Sequence, residues 1–250
     1  MPQASVLFLT LLATLLATAL APPSPGNELP WKLDRSYKYL WFHKEQKVGE
    51  SLLKFKKVEG VKDMRYDLTS HRSYQRGGNR QAVESKLTFK ADGTPVYYEE
   101  QCRLSSILSQ YRALQEVRVS FKGTTVTTTY VNNQNSDKAI RTERKVPSGT
   151  FLFATHALEQ WAVFTMALKG SRQKTLNVFY PDSGNVLRVE FKQEAETEPL
   201  RVGTKEVKAS CYRFDCKDAG YQGKVWLDLE GRLLRYESGP LRFSLAAVDG

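Results

Sequence analysis

The chain has 250 residues, a formal net charge of +10 and only three cysteines, the first of which is Cys102. Because no cysteine lies between the apolar start of the chain and Cys102, a lipid-modified cysteine at a mature N terminus is excluded. No segment beyond that start approaches the length of a membrane-spanning helix, so further helical spans are excluded as well.

An apolar run from Val6 to Ala21, interrupted only by threonines, opens the chain. It predicts a signal peptide at residues 1–21 that is removed on export, although no Lys or Arg precedes the run and Pro22 follows the cut. The alternative is a retained anchor, but about 16 residues at 1.5 Å each reach about 24 Å, short of a bilayer core of ~30 Å. We therefore expect a periplasmic or secreted protein.

Removal of the signal peptide leaves a Pro-rich spacer at residues 22–33 and a single β-rich domain at residues 34–250. The apolar run has no charged residue, so the whole net charge belongs to the mature chain. A basic surface favours acidic partners. For an exported protein we expect a lipid or acylated ligand, an anionic membrane surface or an envelope protein, and no nucleic acid. The alternative is a solvated basic face that serves solubility.

Alternating apolar and polar residues predict β-strands along most of the chain. In one run Leu87 and Phe89 alternate with Lys86 and Lys90 before the turn at Asp92-Gly93. Up to fourteen such strands can be counted, some of which we expect to be loops, and the short connections between them are typical of antiparallel meanders.

One segment has helical periodicity instead. Thr155 is placed to cap a helix near residues 155–168, and Gly170 lies just past its end. The apolar positions of this helix are Leu158, Trp161, Ala162, Thr165 and Leu168. About fourteen residues make a helix of ~21 Å, which is too short to cover a wide sheet.

The predicted fold class is therefore mainly β (α+β), an antiparallel curled sheet or half-barrel with one covering helix near residues 155–168. The curl buries most of the apolar face, and the helix plugs or covers the opening. This geometry tends to leave an apolar interior cavity. The cavity lining is predicted from residues whose strand neighbours are charged and from the helix: Leu87, Phe89, Val119, Phe121, Leu158, Trp161, Val189 and Phe191.

Three cysteines in an exported chain leave at least one unpaired or paired between chains. On one continuous strand Cys211 and Cys216 lie ~17 Å apart, beyond the ~7 Å limit for a disulfide. A bridge between them requires a turn at Arg213 to Asp215. A local disulfide and three buried thiols are equal alternatives.

The sequence shows no motif typical of catalysis or metal binding. His43 and His71 have no metal-binding spacing, and the i, i+3 pair of His156 and Glu159 has no second His or paired carboxylate. The sequence contains no nucleophile elbow, zinc-protease motif or glycine-rich phosphate loop. We expect no cofactor, no metal and no enzymatic activity.

Three segments together resemble a known family: Asp92-Gly93-Thr94-Pro95-Val96-Tyr97-Tyr98, the helix around Trp161, and the ending from Lys224 to Tyr236. They are similar to uncharacterised bacterial periplasmic proteins whose fold is similar to the lipoprotein carriers of the LolA/LolB superfamily. The resemblance implies an antiparallel half-barrel with helix cover and an apolar concavity that holds acyl chains. It implies no particular catalytic or binding residue.

Two functions follow from these patterns. In the first, the protein is a carrier that holds an apolar or acylated ligand inside the half-barrel, because one helix cannot fill the enclosed apolar face. In the second, it is an envelope scaffold or protein-interaction module without a cavity, because edge strands and a basic face recruit protein partners.

We predict that the chain without residues 1–21 is soluble without detergent, because charged residues recur along nearly every strand. Sedimentation with membranes at low and at high salt measures this. Partitioning into membranes that persists at high salt would contradict the prediction. Release by salt would instead indicate attraction between the basic face and an anionic surface.

Overall fold

The computed structural model describes residues 29–106, 112–132, 136–153 and 157–249. In these ranges the chain is mainly β and includes one α-helix, α1 (Leu158–Met166), and a 3-10 turn at Lys217–Ala219. The strands are β1 (Ser36–His43), β2 (Gln46–Lys57), β3 (Arg65–Arg76), β4 (Asn79–Lys90), β5 (Pro95–Ser106), β6 (Arg112–Lys122), β7 (Thr125–Asn132), β8 (Ser136–Lys145), β9 (Phe151–Leu152), β10 (Gln173–Tyr180), β11 (Asn185–Val202), β12 (Lys205–Cys216), β13 (Tyr221–Leu227), β14 (Leu233–Ser238) and β15 (Leu241–Asp249).

All fifteen strands belong to one sheet, in the order β8-β7-β6-β5-β4-β3-β2-β1-β15-β14-β13-β12-β11-β10-β9. Neighbours pair antiparallel except β9 and β10, which are parallel. The edge strands β8 and β9 are joined only by residues 146–150. So short a segment spans at most about 20 Å, so the two edges must approach each other. The sheet is accordingly curled but not closed, which confirms the predicted fold class.

Tight turns keep the meander in register. Gly77 and Gly78 both have positive φ (56° and 78°) and join β3 to β4, whose flanking residues Arg76 and Asn79 pair. A two-residue turn of this kind needs φ > 0 at both positions, which glycine adopts without strain. The turn therefore fixes which residues of the two strands face the same side.

The apolar residues of neighbouring strands lie opposite one another and form buried rows across the concave face. One such row crosses β2 to β6, and each member is at most 2% exposed: Phe55, Leu68, Leu87, Tyr98 and Val119. The charged neighbours Lys90 and Lys122 are exposed on the convex face. The alternation in the sequence therefore predicted the side of the sheet correctly.

The helix α1 is shorter and more deeply buried than predicted. It has nine residues rather than fourteen, and its N-cap is Ala157, which has no side-chain cap. The predicted cap Thr155 lies outside the described residues. Every residue from Leu158 to Thr165 is buried, so the helix lies inside the curl and is not a one-sided cover. The expected burial of Trp161, which is 1% exposed, is confirmed.

Trp31 corrects the boundary of the predicted spacer at residues 22–33. Its ring stacks on Phe55 at 4.8 Å and meets Tyr37 edge-on at 4.8 Å, and only 2% of the residue is exposed. The neighbouring Lys32 amide donates to the Tyr37 hydroxyl at 2.6 Å. The segment from Trp31 onward is therefore part of the core.

The three cysteines are free and buried. Cys211 and Cys216 both lie on β12, which continues through Arg213 to Asp215 without the turn that a local bridge would need. Of the two alternatives, the structure therefore contains the buried thiols. In the described ranges the structure contains no helix with the length and apolarity of a membrane span.

We predict that Trp161→Ala lowers the free energy of unfolding by ~3–5 kcal/mol, because it removes a large buried ring and leaves a cavity. Urea denaturation monitored by circular dichroism measures the loss. Leu229→Ala is the control: Leu229 is 76% exposed, and its change should stay within ~0.5 kcal/mol. An equal effect of the two substitutions would contradict a core role for Trp161.

Candidate functional site

The concave face changes from apolar to polar along its strands. Next to the apolar row of Leu87 and Tyr98, the adjoining row contains Ser70, Ser85 and Glu100, which lie opposite one another on β3, β4 and β5. A further row toward the β3–β4 turn contains Ser51, Arg72, Val83 and Cys102. We call these two rows, together with Tyr74 and Gln81, the polar end of the concave face.

Glu159 connects α1 to the polar end. Its carboxylate accepts a hydrogen bond from the Ser85 hydroxyl at 2.8 Å and lies 3.2 Å from the Tyr98 hydroxyl. The Tyr98 hydroxyl also lies 2.6 Å from the Glu100 carboxylate. A phenol has one proton to donate, and the shorter distance favours Glu100 as its acceptor. Glu159 is 2% exposed, so the hydrogen bond from Ser85 offsets part of the cost of burying its carboxylate.

Burial and the nearby carboxylate of Glu159 raise the pKa of Glu100 above its ordinary value. The Tyr98 hydroxyl and Arg72 oppose this shift and do not cancel it. Burial, followed by the charges of Glu159 and Glu100, also raises the pKa of Tyr98 well above its ordinary value. The Tyr98 hydroxyl therefore remains a hydrogen-bond donor across the physiological pH range.

Arg72 is the cation of the polar end. Its guanidinium lies 5.4 Å from the centre of the Trp41 ring, a cation–π distance. The Trp41 indole nitrogen in turn donates to the Ser51 hydroxyl at 2.7 Å. These contacts hold a positive charge on the same concave surface as the two carboxyl groups.

The polar end opens to solvent only in part, because its serines, Val83 and Cys102 are buried, whereas the apolar rows are sealed. Arg72, Tyr74, Gln81, Glu100 and Val117 are only half-buried although all face the concave side. The Gln81 amide donates to the buried Cys102 thiol at 3.1 Å. Burial raises the pKa of that thiol, which favours a structural cysteine over a reactive one.

This arrangement combines groups that suit a polar ligand head. Arg72 and the Tyr98 hydroxyl donate hydrogen bonds, and the carboxyl groups of Glu100 and Glu159 accept them. A carboxyl group with a raised pKa, such as that of Glu100, also occurs in active sites. In the described ranges no group of three or more His, Cys, Asp or Glu is placed to hold a metal ion. His156 lies outside those ranges.

The predicted lining residues lie in the interior, but rings fill the space around them. The Trp161 ring lies 4.7 Å from Phe214, 4.8 Å from Tyr236 and 6.3 Å from Phe191. Phe121 is half-buried, with its ring 6.4 Å from that of Phe179. The others are buried: Leu87, Phe89, Val119, Leu158, Trp161, Val189 and Phe191. That these eight predicted lining residues contact a ligand remains a prediction.

None of four surface cavities of the described chain is lined by a residue that was predicted to line the interior. The groups at the polar end, Arg72, Tyr98, Glu100 and Glu159, were absent from the sequence-based prediction. One signal for them was available. Ser70, Arg72 and Ser85 occupy inward positions of strands whose other inward positions are mostly apolar.

Comparison with known proteins adds a distant structural likeness. No family model matches the chain, and no curated protein matches it. Among solved structures, a crystal structure of a DUF1089 family protein from Pseudomonas aeruginosa matches with a TM-score of 0.39 and 10% identity. The match covers 73% of this chain and 89% of that one. A likeness at this level carries no argument about function.

We predict that Glu100→Gln stabilises the protein at neutral pH. A carboxyl group with a raised folded-state pKa supports folding below its ordinary pKa of 4.5 and loses that contribution as pH rises through the folded value. The amide of Gln accepts the Tyr98 hydrogen bond without the charge. Urea denaturation of the unchanged protein and of the variant at several pH values measures their free energies of unfolding. The advantage of the variant should grow as the pH rises above 4.5. A difference independent of pH would contradict this assignment.

Proposed function

We propose that the protein is an exported, non-enzymatic binding protein that holds an apolar or acylated ligand along the concave face of its sheet. The observation that carries the proposal is the open polar end, which adjoins buried apolar rows on the same surface. An amphiphilic molecule matches this order of surfaces, with its polar head near Arg72 and Glu100 and its apolar part directed toward Leu87 and Val119.

The groups of the polar end favour a head with both donors and acceptors. Arg72 offers a cation to a phosphoryl, carboxyl or carbonyl oxygen. Glu100, whose pKa is raised by burial, offers a carboxyl group that both accepts and, when protonated, donates. Half-buried Tyr74 adds an aromatic surface beside them.

The apolar part of the ligand competes with α1 for the interior, because the rings around Trp161 leave the curl filled. The helix leaves two buried donors there without a hydrogen-bond partner among the described residues, the Trp161 indole nitrogen and the Tyr236 hydroxyl. An unsatisfied buried donor costs about 1–3 kcal/mol. This cost makes displacement of α1 by a ligand less unfavourable. It supports a carrier in which α1 and the ligand occupy the interior in turn.

A scaffold function is the second candidate, and the sheet edge favours it. Among the described strands, β8 is terminal and pairs only with β7. Its Ile140 is 61% exposed. An edge strand of ten residues is a template for a strand from another protein. In-cell crosslinking that recovers one protein partner, together with no co-purifying lipid, would support this function.

Mass spectrometry of the natively expressed protein tests the carrier proposal directly. Under non-denaturing conditions, we expect a complex of the protein with a co-purifying lipid or acylated molecule. Organic extraction should release this molecule, and its mass can then be measured alone. Protein that is free of ligand, and that fails to take up acylated molecules when incubated with envelope lipids, would overturn the proposal.

We predict that Val117→Asp and Phe121→Asp each abolish binding of an apolar fluorescent probe. Both positions are half-buried on the concave side, and Asp at Val117 lies opposite Glu100, so it adds a second negative charge to the ligand path. Phe121→Ala should keep binding, because it enlarges the apolar space. Ile140→Asp on the edge strand is the control and should bind as the unchanged protein does.

Circular dichroism and urea denaturation of each variant show whether the fold is kept. Probe binding that survives in both folded Asp variants would place the ligand elsewhere and overturn the concave-face assignment.

A further inference from the structure

A second candidate site lies on the convex face of the sheet, away from the polar end. A cavity of about 870 Å³ opens where β10, β11 and β12 lie side by side. Its lining contains three cations and one anion. The five lining residues are Arg172, Lys192, Gln193, Glu194 and Arg213. The excess of cations in this cavity sets it apart from two other surface cavities, whose linings contain more carboxylates than Lys and Arg side chains.

The sheet register places like charges directly opposite one another here. Lys192 on β11 pairs with Arg213 on β12, and Arg213 pairs with Lys224 on β13. Like charges at opposite positions of neighbouring strands are about 4.5–5.5 Å apart at their Cβ atoms and destabilise the pair. The arrangement therefore has an energetic cost that an anion bound between the cations would remove.

The nearby carboxylate of Glu194 balances these charges only in part. Glu194 is engaged by Lys224 at 3.0 Å, and the hydrogen bond from Lys224 lowers the pKa of Glu194. The charge of Arg213 also helps to lower this pKa. Arg213 donates to the side-chain oxygen of Gln222 at 3.4 Å, a neutral acceptor. Among the described residues Arg172 and Lys192 have no ion pair, and both are exposed.

We propose that Arg172, Lys192 and Arg213 form a binding site for a phosphoryl group. Two guanidinium groups each present paired N–H donors that match the oxygens of a phosphoryl group, and the ammonium of Lys192 adds a point charge. Three cations suit a doubly charged anion better than a single carboxylate. The group comes from a free phosphate compound or from the head of an anionic lipid.

Inorganic pyrophosphate is the probe for the free source. Isothermal titration calorimetry of the full-length protein with pyrophosphate at low salt should show binding. The affinity should fall as salt is added. The double variant Lys192→Gln/Arg213→Gln should weaken it by at least about tenfold, because two charge-assisted contacts are lost. The control Lys56→Gln/Lys122→Gln removes the same charge from two exposed positions elsewhere and should bind as the unchanged protein does.

Vesicles test the lipid source. Co-sedimentation is compared between phosphatidylcholine vesicles and vesicles that also contain phosphatidylglycerol. Residues 1–21 have no charged side chain, so any binding of this apolar segment to the membrane should be similar for both kinds of vesicle. A preference for the anionic vesicles that the Lys192→Gln/Arg213→Gln variant loses and the control keeps assigns the site to a lipid head.

The proposal is overturned if neither probe distinguishes the two double variants, because the effect then follows net charge and not this site. It is also overturned if the full-length protein binds neither pyrophosphate nor anionic vesicles. The substituted side chains are exposed, so circular dichroism spectra of all variants should coincide. The carrier assay with the apolar probe should be unchanged in them, which separates this site from the concave face.

Discussion

The rest of the structure depends on how a fifteen-stranded sheet buries one apolar face with a single nine-residue helix. A helix of that length is about 14 Å long and covers only a few strands. The sheet must therefore curl until its own halves meet around the helix. Gly93, with φ of 84°, shows how close the approach is, because an added Cβ would lie 3.2 Å from Phe151 and 3.4 Å from Val163 of α1.

The curl closes unevenly, and this separates the two parts of the concave face. At one end, Phe121 of β6 meets Phe179 of β10, and the aromatic rings around Trp161 seal the interior. At the other end the inward side of β3 to β5 combines half-buried Arg72 and Glu100 with buried Ser70, Ser85 and Cys102. Glu159 lies at the boundary, where the Ser85 hydroxyl donates a hydrogen bond to its buried carboxylate.

The convex face contributes little to stability and is therefore free to serve recognition. Its ion pairs, such as Lys38 with Glu50 at 3.1 Å and Lys86 with Asp67 at 2.9 Å, join largely solvated side chains. Pairs of this kind typically contribute about 0–1 kcal/mol. The stability of the domain comes from the rings and aliphatic rows inside the curl, so charge on the outside can be concentrated locally, as at Lys192 and Arg213, at small cost to folding.

The sequence by itself determined which residues face inward and where a helix interrupts the strands. Period-two alternation placed Leu87 and Phe89 in the interior, and helical spacing placed Trp161 against the sheet, because both patterns follow from local backbone geometry. Strand β9 escaped detection because its two residues are too few to show a period. Trp31 and Glu159 escaped for a different reason, since neither has a local pattern that reports its partners.

The tertiary structure alone decided what the inward residues touch. Glu159 meets Ser85 and Tyr98 across 74 and 61 residues of chain, and Trp161 packs on rings from β12 and β14. Aromatic rings pack around Trp161 in the interior, and the polar end lies beside them on the same face. Local periodicity encodes the face on which a side chain lies, whereas the volume left between the faces depends on how the whole sheet curls, which no local pattern contains.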